Sequence, residues 1–239
     1  MKLDILAIGV HPDDVELSCS GTLLKAIGQG KKIGLLDLTR GELGTRGSAE
    51  IREQEATAAA KLMGALVREN TEMDDGFFRH SRKNILKIVQ VIRKYKPEII
   101  LANALKDRHP DHARAAKLTS EACFIAGLAK VETVDDDGGM QEKWRPKAIY
   151  HYIQDFHLDP DFVIDITPFI DRKMELIMTF KSQFYDPNSK EPESPISSLN
   201  FIESIKAKNR VFGRPIGVDF GEGFNVERTP GVKDLFDLF

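Results

Sequence analysis

Short apolar runs that alternate with segments of helical period predict an α/β protein: a Rossmann-like, mostly parallel sheet flanked by helices on both faces. Two further observations support that class. The chain has 239 residues, 41% of them hydrophobic, enough to bury one sizeable core. Clusters rich in Asp and His also stand directly after several of the apolar runs, where open parallel sheets place their sites.

The elements follow in order. LDILAIGV (3–10) reads as a buried strand, and GTLLKAIGQG (21–30) as a short helix with Gly28 and Gly30 near its end. KIGLLDLT (32–39) is a second strand, and RGELGTRGS (40–48) a Gly-rich loop. AEIREQEATAAAKLMG (49–64) is rich in helix formers; Ser48 can cap it and Gly64 can stop it. A strand follows over 65–73. In NILKIVQVIRKYKP (84–97), Ile85, Ile88, Val89 and Ile92 share one helical face that ends before Pro97. EIILANA (98–104) is the next strand and HARAAKLTSEACFIAGL (112–128) the next helix. The second half is more mixed. AIYHYIQ (148–154) and FVIDIT (162–167) read as strands, and TPFIDRKMELIMTFKSQFY (167–185) as a helix. DPNSKEPESPISS (186–198) is a Pro/Ser-rich loop, and a final helix over 198–213 precedes a Gly-punctuated tail. With no repeat and no linker, 1–239 is expected to be one domain.

Several classes are disfavoured. A net charge of −3 gives no electrostatic case for a nucleic-acid partner. The apolar stretches are too short for a bilayer span, and Asp4 interrupts the one that resembles a signal peptide. Cys19 and Cys123 form no CxxC; they predict buried thiols in a reducing cytoplasm rather than a disulfide framework. GxSxG, GxGxxG and the P-loop are absent, and His-Pro-Asp-Asp after the first strand would repel a pyrophosphate.

The chemistry is expected at the strand ends. HPDD (11–14) follows the first strand, and the loop over 40–48 the second. MDDGFF (73–78) follows the third, and LKDRHPDH (105–112) follows EIILANA. These four segments are predicted to converge at one edge of the sheet. His11 and Asp14 are three apart, as are His109 and His112. Two histidines and one carboxylate suit a catalytic zinc with one open position, whereas magnesium and calcium prefer oxygen donors. The same set also occurs around non-haem iron, though there an all-β scaffold is expected.

These residues resemble a known family. HPDDVE, RGELGTRG, IREQE and HPDH, in that order, are similar to motifs of the zinc-dependent LmbE/PIG-L de-N-acetylases, which act on N-acetylglucosamine derivatives. The tail FGRPIGVDFGEGF (212–224) resembles the bacillithiol-biosynthesis branch, the BshB-type enzymes, whose substrate is N-acetylglucosaminyl-L-malate. The resemblance implies an LmbE-like fold and one Zn2+ held by His11, Asp14 and His112, with Fe2+ as an alternative metal. It implies Asp13 as general base, and His109 as oxyanion stabiliser or acid toward the leaving amine. Arg52 would contact the sugar, with Glu42 and Asp75 near its hydroxyls. Some relatives carry a tyrosine just before HPDH, where this chain has Asp107 and Arg108.

Asp111 is expected either to orient a histidine or to cap the following helix. Arg46, Arg52 and Arg108 stand on the converging loops, where they can pair with the two carboxylates of malate. The expected partner is a small amino-sugar substrate, with no nucleic acid and no membrane. Other acetylated sugars, or a non-catalytic sugar- or nucleotide-binding module, are the alternatives. Family relatives imply a homo-oligomer, a trimer or hexamer; the apolar VKDLFDLF (232–239) would pack on a neighbour or fold back on its own domain.

Overall fold

The computed structural model describes residues 1–237. In chain order the elements are β1 (Ile5–Gly9), α1 (Asp14–Gly28), β2 (Ile33–Thr39), α2 (Ala49–Met63), β3 (Val67–Met73), α3 (Arg82–Tyr95) and β4 (Ile99–Ala102). Then come α4 (Pro110–Ala126), β5 (Ala148–Tyr152), β6 (Phe162–Asp165), α5 (Ile170–Ile177), α6 (Leu199–Gly213) and β7 (Gly221–Val226). The strands form one sheet in the order β3-β2-β1-β4-β5-β7-β6. The first five pair in parallel, and β7 runs antiparallel to both β5 and β6. The expected α/β class and mostly parallel sheet are borne out.

Alternation along β1 shows how the core divides. Leu6 and Ile8 join Ile88, Val89, Ile92 and Leu118 on the face covered by α3 and α4. Ile5 and Ala7 join Val15, Cys19 and Leu23 of α1 on the opposite face. Both faces are apolar because helices cover both. Helix ends follow the local chemistry. Ser48 accepts from Ile51 N at the start of α2, and Gly64, at φ 90, ends it. Cys19 and Cys123 are both free and buried. Among the described residues, no helix is long and apolar enough to cross a membrane.

Four expectations are corrected. The first helix begins at Asp14, not at residue 21. Val15, Cys19, Leu23 and Ala26 do form its buried face, but Glu16, Ser18 and Ser20 between them are buried as well, which masks the period. The helix after HPDH starts at Pro110, with His109 as its cap, because proline is well tolerated in the first turn. The expected helix over 167–185 reduces to α5: after Ile177 the chain turns so that Phe180 and Phe184 enter the core. The Gly-punctuated tail contains β7, whose glycines hid its strand character. Of VKDLFDLF, Leu235 is exposed and residues 238 and 239 lie outside the described residues.

One buried ion pair fixes the late elements. Lys173 of α5 reaches Glu222 Oε1 of β7 at 2.6 Å, and both side chains are fully buried. Glu222 also accepts Gly21 N and Thr22 N of α1 at 3.0 and 2.7 Å. Three segments distant in sequence therefore meet on one carboxylate. Removing one partner of such a pair leaves a buried charge without its counter-ion. Lys173→Met is expected to lower unfolding stability by about 3–5 kcal/mol, read from urea denaturation. A loss below about 1 kcal/mol would show that the pair does not hold these elements together.

Candidate metal centre and active site

The sheet order places the site. From β1 the chain proceeds to β2 and β3 on one side, and β4 and β5 lie on the other. The carboxyl ends of β1 and β4 are therefore neighbours at the point where the order reverses, the place where such sheets open a crevice. The turn after β1 brings His11, Asp13 and Asp14; the turn after β4 brings Asp107, His109 and His112.

Asp14 is the centre of this crevice. Its Oδ2 accepts from Val10 N at 2.9 Å, His11 N at 3.0 Å and Asn103 Nδ2 at 3.0 Å. Its Oδ1 lies 3.1 Å from Gln154 Nε2 and 3.2 Å from His112 Nε2. His11 Nδ1 is 3.7 Å from Oδ2. Burial pushes this carboxyl up, but His112 and His11 outweigh it and hold its pKa well below the usual range. Each histidine turns its other nitrogen to a further carboxylate. His11 Nε2 meets Asp75 Oδ1 at 3.1 Å, and His112 Nδ1 meets Asp107 Oδ2 at 2.6 Å. Burial works against protonation of both rings, yet these carboxylates raise His11 to about 9 and His112 to about 10.

Asp13 stands apart from that set. Its backbone has φ 134, a region side chains rarely adopt, so the turn is strained where the two carboxylates part. Arg52 Nη2 donates to Asp13 Oδ2 at 3.0 Å and to Pro12 O at 2.8 Å, and Nη1 donates to Gly41 O at 3.2 Å. Gly41 has φ +65, and a Cβ there would lie 2.1 Å from Arg52 Nη1. Only glycine lets the loop close on that guanidinium. Burial raises the Asp13 carboxyl to about 7, with Arg52 opposing the rise.

His109 Nδ1 accepts Asp111 N–H at 3.3 Å. Burial, then the neighbouring His11 and His112, lowers its pKa. A neutral ring with Nδ1 accepting carries its proton on Nε2. The Asp111 carboxylate neither caps α4 nor hydrogen-bonds a histidine: it accepts Gly76 N at 2.8 Å, pairs with Arg114 at 2.7 Å, and stays 3.9 Å from His11 Nε2.

The remaining candidates are placed as follows. Asp75 sits behind His11 and accepts Leu43 N at 2.9 Å, and Glu42 accepts Asp75 N at 2.9 Å. Arg46 is buried rather than solvated, bonded to Phe184 O and Ser189 Oγ. Arg108 pairs with Asp155 at the surface. Sequence reasoning missed Gln154 and Asn103, which hold Asp14, and the contact of Asp107 with His112. Asp107 was visible five residues before a predicted ligand; Gln154 carried no signal.

The site opens into a cavity of about 630 Å³, lined by His11, Asp13, Asp14, His109 and His112 among others. The donors fit a metal. Nitrogen atoms of His11, His109 and His112 lie within 4.8 Å of one another, and Asp14 faces two of these rings. Imidazoles with one carboxylate suit zinc or ferrous iron, and a carboxylate behind a ligating histidine is the usual support. In a second group, His11 with Asp75 and Asp111, the ligand atoms are also close enough to one another.

A histidine–carboxylate cluster able to hold a metal lies beside an arginine-held aspartate in the crevice of an open α/β sheet. The profile of the PIG-L family, described as GlcNAc-PI de-N-acetylase, matches residues 6–123. The chain is 34% identical to the conserved protein TT1542 of Thermus thermophilus, whose crystal structure it matches with a TM-score of 0.84 and 98% of both chains covered. It is 28% identical to the diacetylchitobiose deacetylase of Thermococcus kodakarensis over 75% of this chain and 70% of that protein. It is also 26% identical to the 4-oxalmesaconate hydratase of Pseudomonas putida, over 74% and 73%. The chain belongs to the PIG-L family of deacetylases.

The pKa pattern makes metal uptake a proton exchange. Without metal, His11 and His112 stay protonated up to about pH 9 and 10, on either side of ionised Asp14. A metal held by these rings must displace the protons they carry, so apparent affinity should rise with pH through the neutral range. Calorimetry in buffers of different ionisation enthalpy checks this; no proton release at pH 7 would overturn it. His112→Ala should abolish stoichiometric zinc binding, and Asp107→Asn should weaken it about 10–100-fold.

Proposed function

We propose that the chain hydrolyses the N-acetyl amide of an N-acetylglucosamine conjugate, with zinc held by His11, Asp14 and His112. One observation carries this reading: of two adjacent buried carboxylates, Asp14 joins the histidines while Asp13 is held by Arg52 at the same cavity. When bound, zinc supplies a Lewis acid that acidifies water and polarises the amide carbonyl.

Asp13 takes the proton of the attacking water. A carboxyl placed near neutrality by burial is matched to that task, and the metal charge adds to Arg52 in favouring its ionised form. His109, neutral with its proton on Nε2, donates a hydrogen bond to the oxygen that gains charge. The water oxygen bonds to the acyl carbon, the C–N bond breaks, and the proton passes to the departing amine. Acetate and the free amino sugar result. Asp75 and Arg52 line the β2/β3 side, where the sugar hydroxyls are read to lie, and Glu42 accepts the Asp75 N–H.

The conjugate is read as N-acetylglucosaminyl-L-malate. The likeness of 212–224 to the bacillithiol branch supports it, as do Arg46 and Arg108 on the cavity wall. A neutral amino-sugar conjugate is the second reading, favoured by the likeness to the diacetylchitobiose deacetylase.

Asp13→Asn should keep zinc and lower kcat about 10²–10⁴-fold; near-normal turnover would remove the general-base role. Free-amine release should be fastest from GlcNAc-malate when compared with GlcNAc and diacetylchitobiose. Equal or faster release from either neutral sugar overturns the malate reading and leaves the deacetylase reading standing.

A further inference from the structure

The cavity has two unlike flanks. The sheet order sets β2 and β3 on one side of the β1/β4 crevice and β5 and β7 on the other. On the β2/β3 side the lining carries Arg46, Arg52 and Asp75. The apolar part of the lining is Ile153 after β5, Phe212 of α6, and Leu17, Phe201 and Ile205, which reach from α1 and α6 toward Ala59 of α2; Gln154, Lys208 and Glu222 interrupt it on the β5/β7 side. The charged groups of both flanks are engaged within the protein: Arg52 with Asp13, Asp75 with His11, and Arg108 with Asp155. Glu222 accepts from Lys173, Gly21 N and Thr22 N, and Lys208 donates to Gln154 O and Asp155 O. Gln154, which touches Asp14, connects the β5/β7 side directly to the metal centre.

An N-acyl amino sugar has the same two-sided character. A hydroxylated ring lies on the nitrogen side of the amide and an alkyl group on the carbonyl side. Hydroxyls are costly to desolvate against apolar walls, whereas methylenes gain from it. With the amide at the metal centre, the ring belongs on the charged flank and the alkyl group on the apolar one. A methyl group alone would leave most of that flank uncovered. We propose that this apolar flank is an acyl subsite and that the enzyme hydrolyses N-acyl chains longer than acetyl, butyryl to hexanoyl, from glucosamine. The reaction balances as for acetyl: water adds to the acyl carbon, the C–N bond breaks, and a short-chain carboxylate and the free amine leave. The inference rests on the amide-hydrolase reading above.

The test uses the zinc-loaded full chain with N-acetyl-, N-butyryl- and N-hexanoyl-glucosamine. Wild-type kcat/KM should rise from acetyl to butyryl, by up to about fourfold per methylene buried. Inhibition by free hexanoate should exceed inhibition by acetate. Ser18→Leu and Ile205→Trp, which fill the flank from α1 and from α6, should each bring the butyryl-to-acetyl ratio below one. A wild-type enzyme that releases amine from N-acetylglucosamine but more slowly from the butyryl compound overturns the acyl subsite alone. Release from none of the three, with zinc bound, overturns the amide-hydrolase reading together with it.

Discussion

The structure turns on one buried carboxylate. Asp14 receives two backbone N–H groups from the end of β1, an amide from Asn103 after β4 and another from Gln154 after β5. A carboxylate is tolerated in so dry a place only when donors surround it. Those donors come from three strands, so the group that needs them also fixes how the strand ends meet. The strain at Asp13 accompanies this. For Asp14 to turn back onto Val10 N and His11 N while also opening α1, the chain bends sharply at the residue between.

Two adjacent aspartates consequently live in opposite fields. His112 and His11 hold Asp14 ionised over any working pH, whereas burial leaves Asp13 near neutrality with Arg52 as its main counterweight. Pairs of like groups driven apart by their surroundings are how one site obtains both a ligand and a base. Arg52 reaches Asp13 only because Gly41 lacks a side chain, so a loop glycine belongs to the same device.

Much of this was legible. The alternation of apolar runs pointed to the parallel half of the sheet, because its inner strands β1, β2 and β4 are buried on both faces. Convergence of the HPDD and HPDH turns followed from their places after β1 and β4, which are neighbours at the switch point. The misses share a cause: contacts made across the sheet carry no local pattern. Gln154 reads as the end of a strand until β5 is seen beside β4. Glu222 reads as a polar residue among glycines until Lys173 is seen against it. Arg46 read as a loop arginine placed to pair with substrate, because nothing in RGELGTRG announces that the segment over 182–191 folds across it.

The place of β7 bears on when the molecule becomes whole. β6 precedes it in sequence but pairs only with β7, which lies between β6 and β5. During synthesis the first five strands can assemble as they emerge, since each finds its neighbour already made. β6 must wait without a partner until the final strand arrives and slots in beside β5. The wall of the cavity formed by β7 and Glu222 is therefore absent from any nascent chain that stops short of residue 221, however complete its metal ligands are.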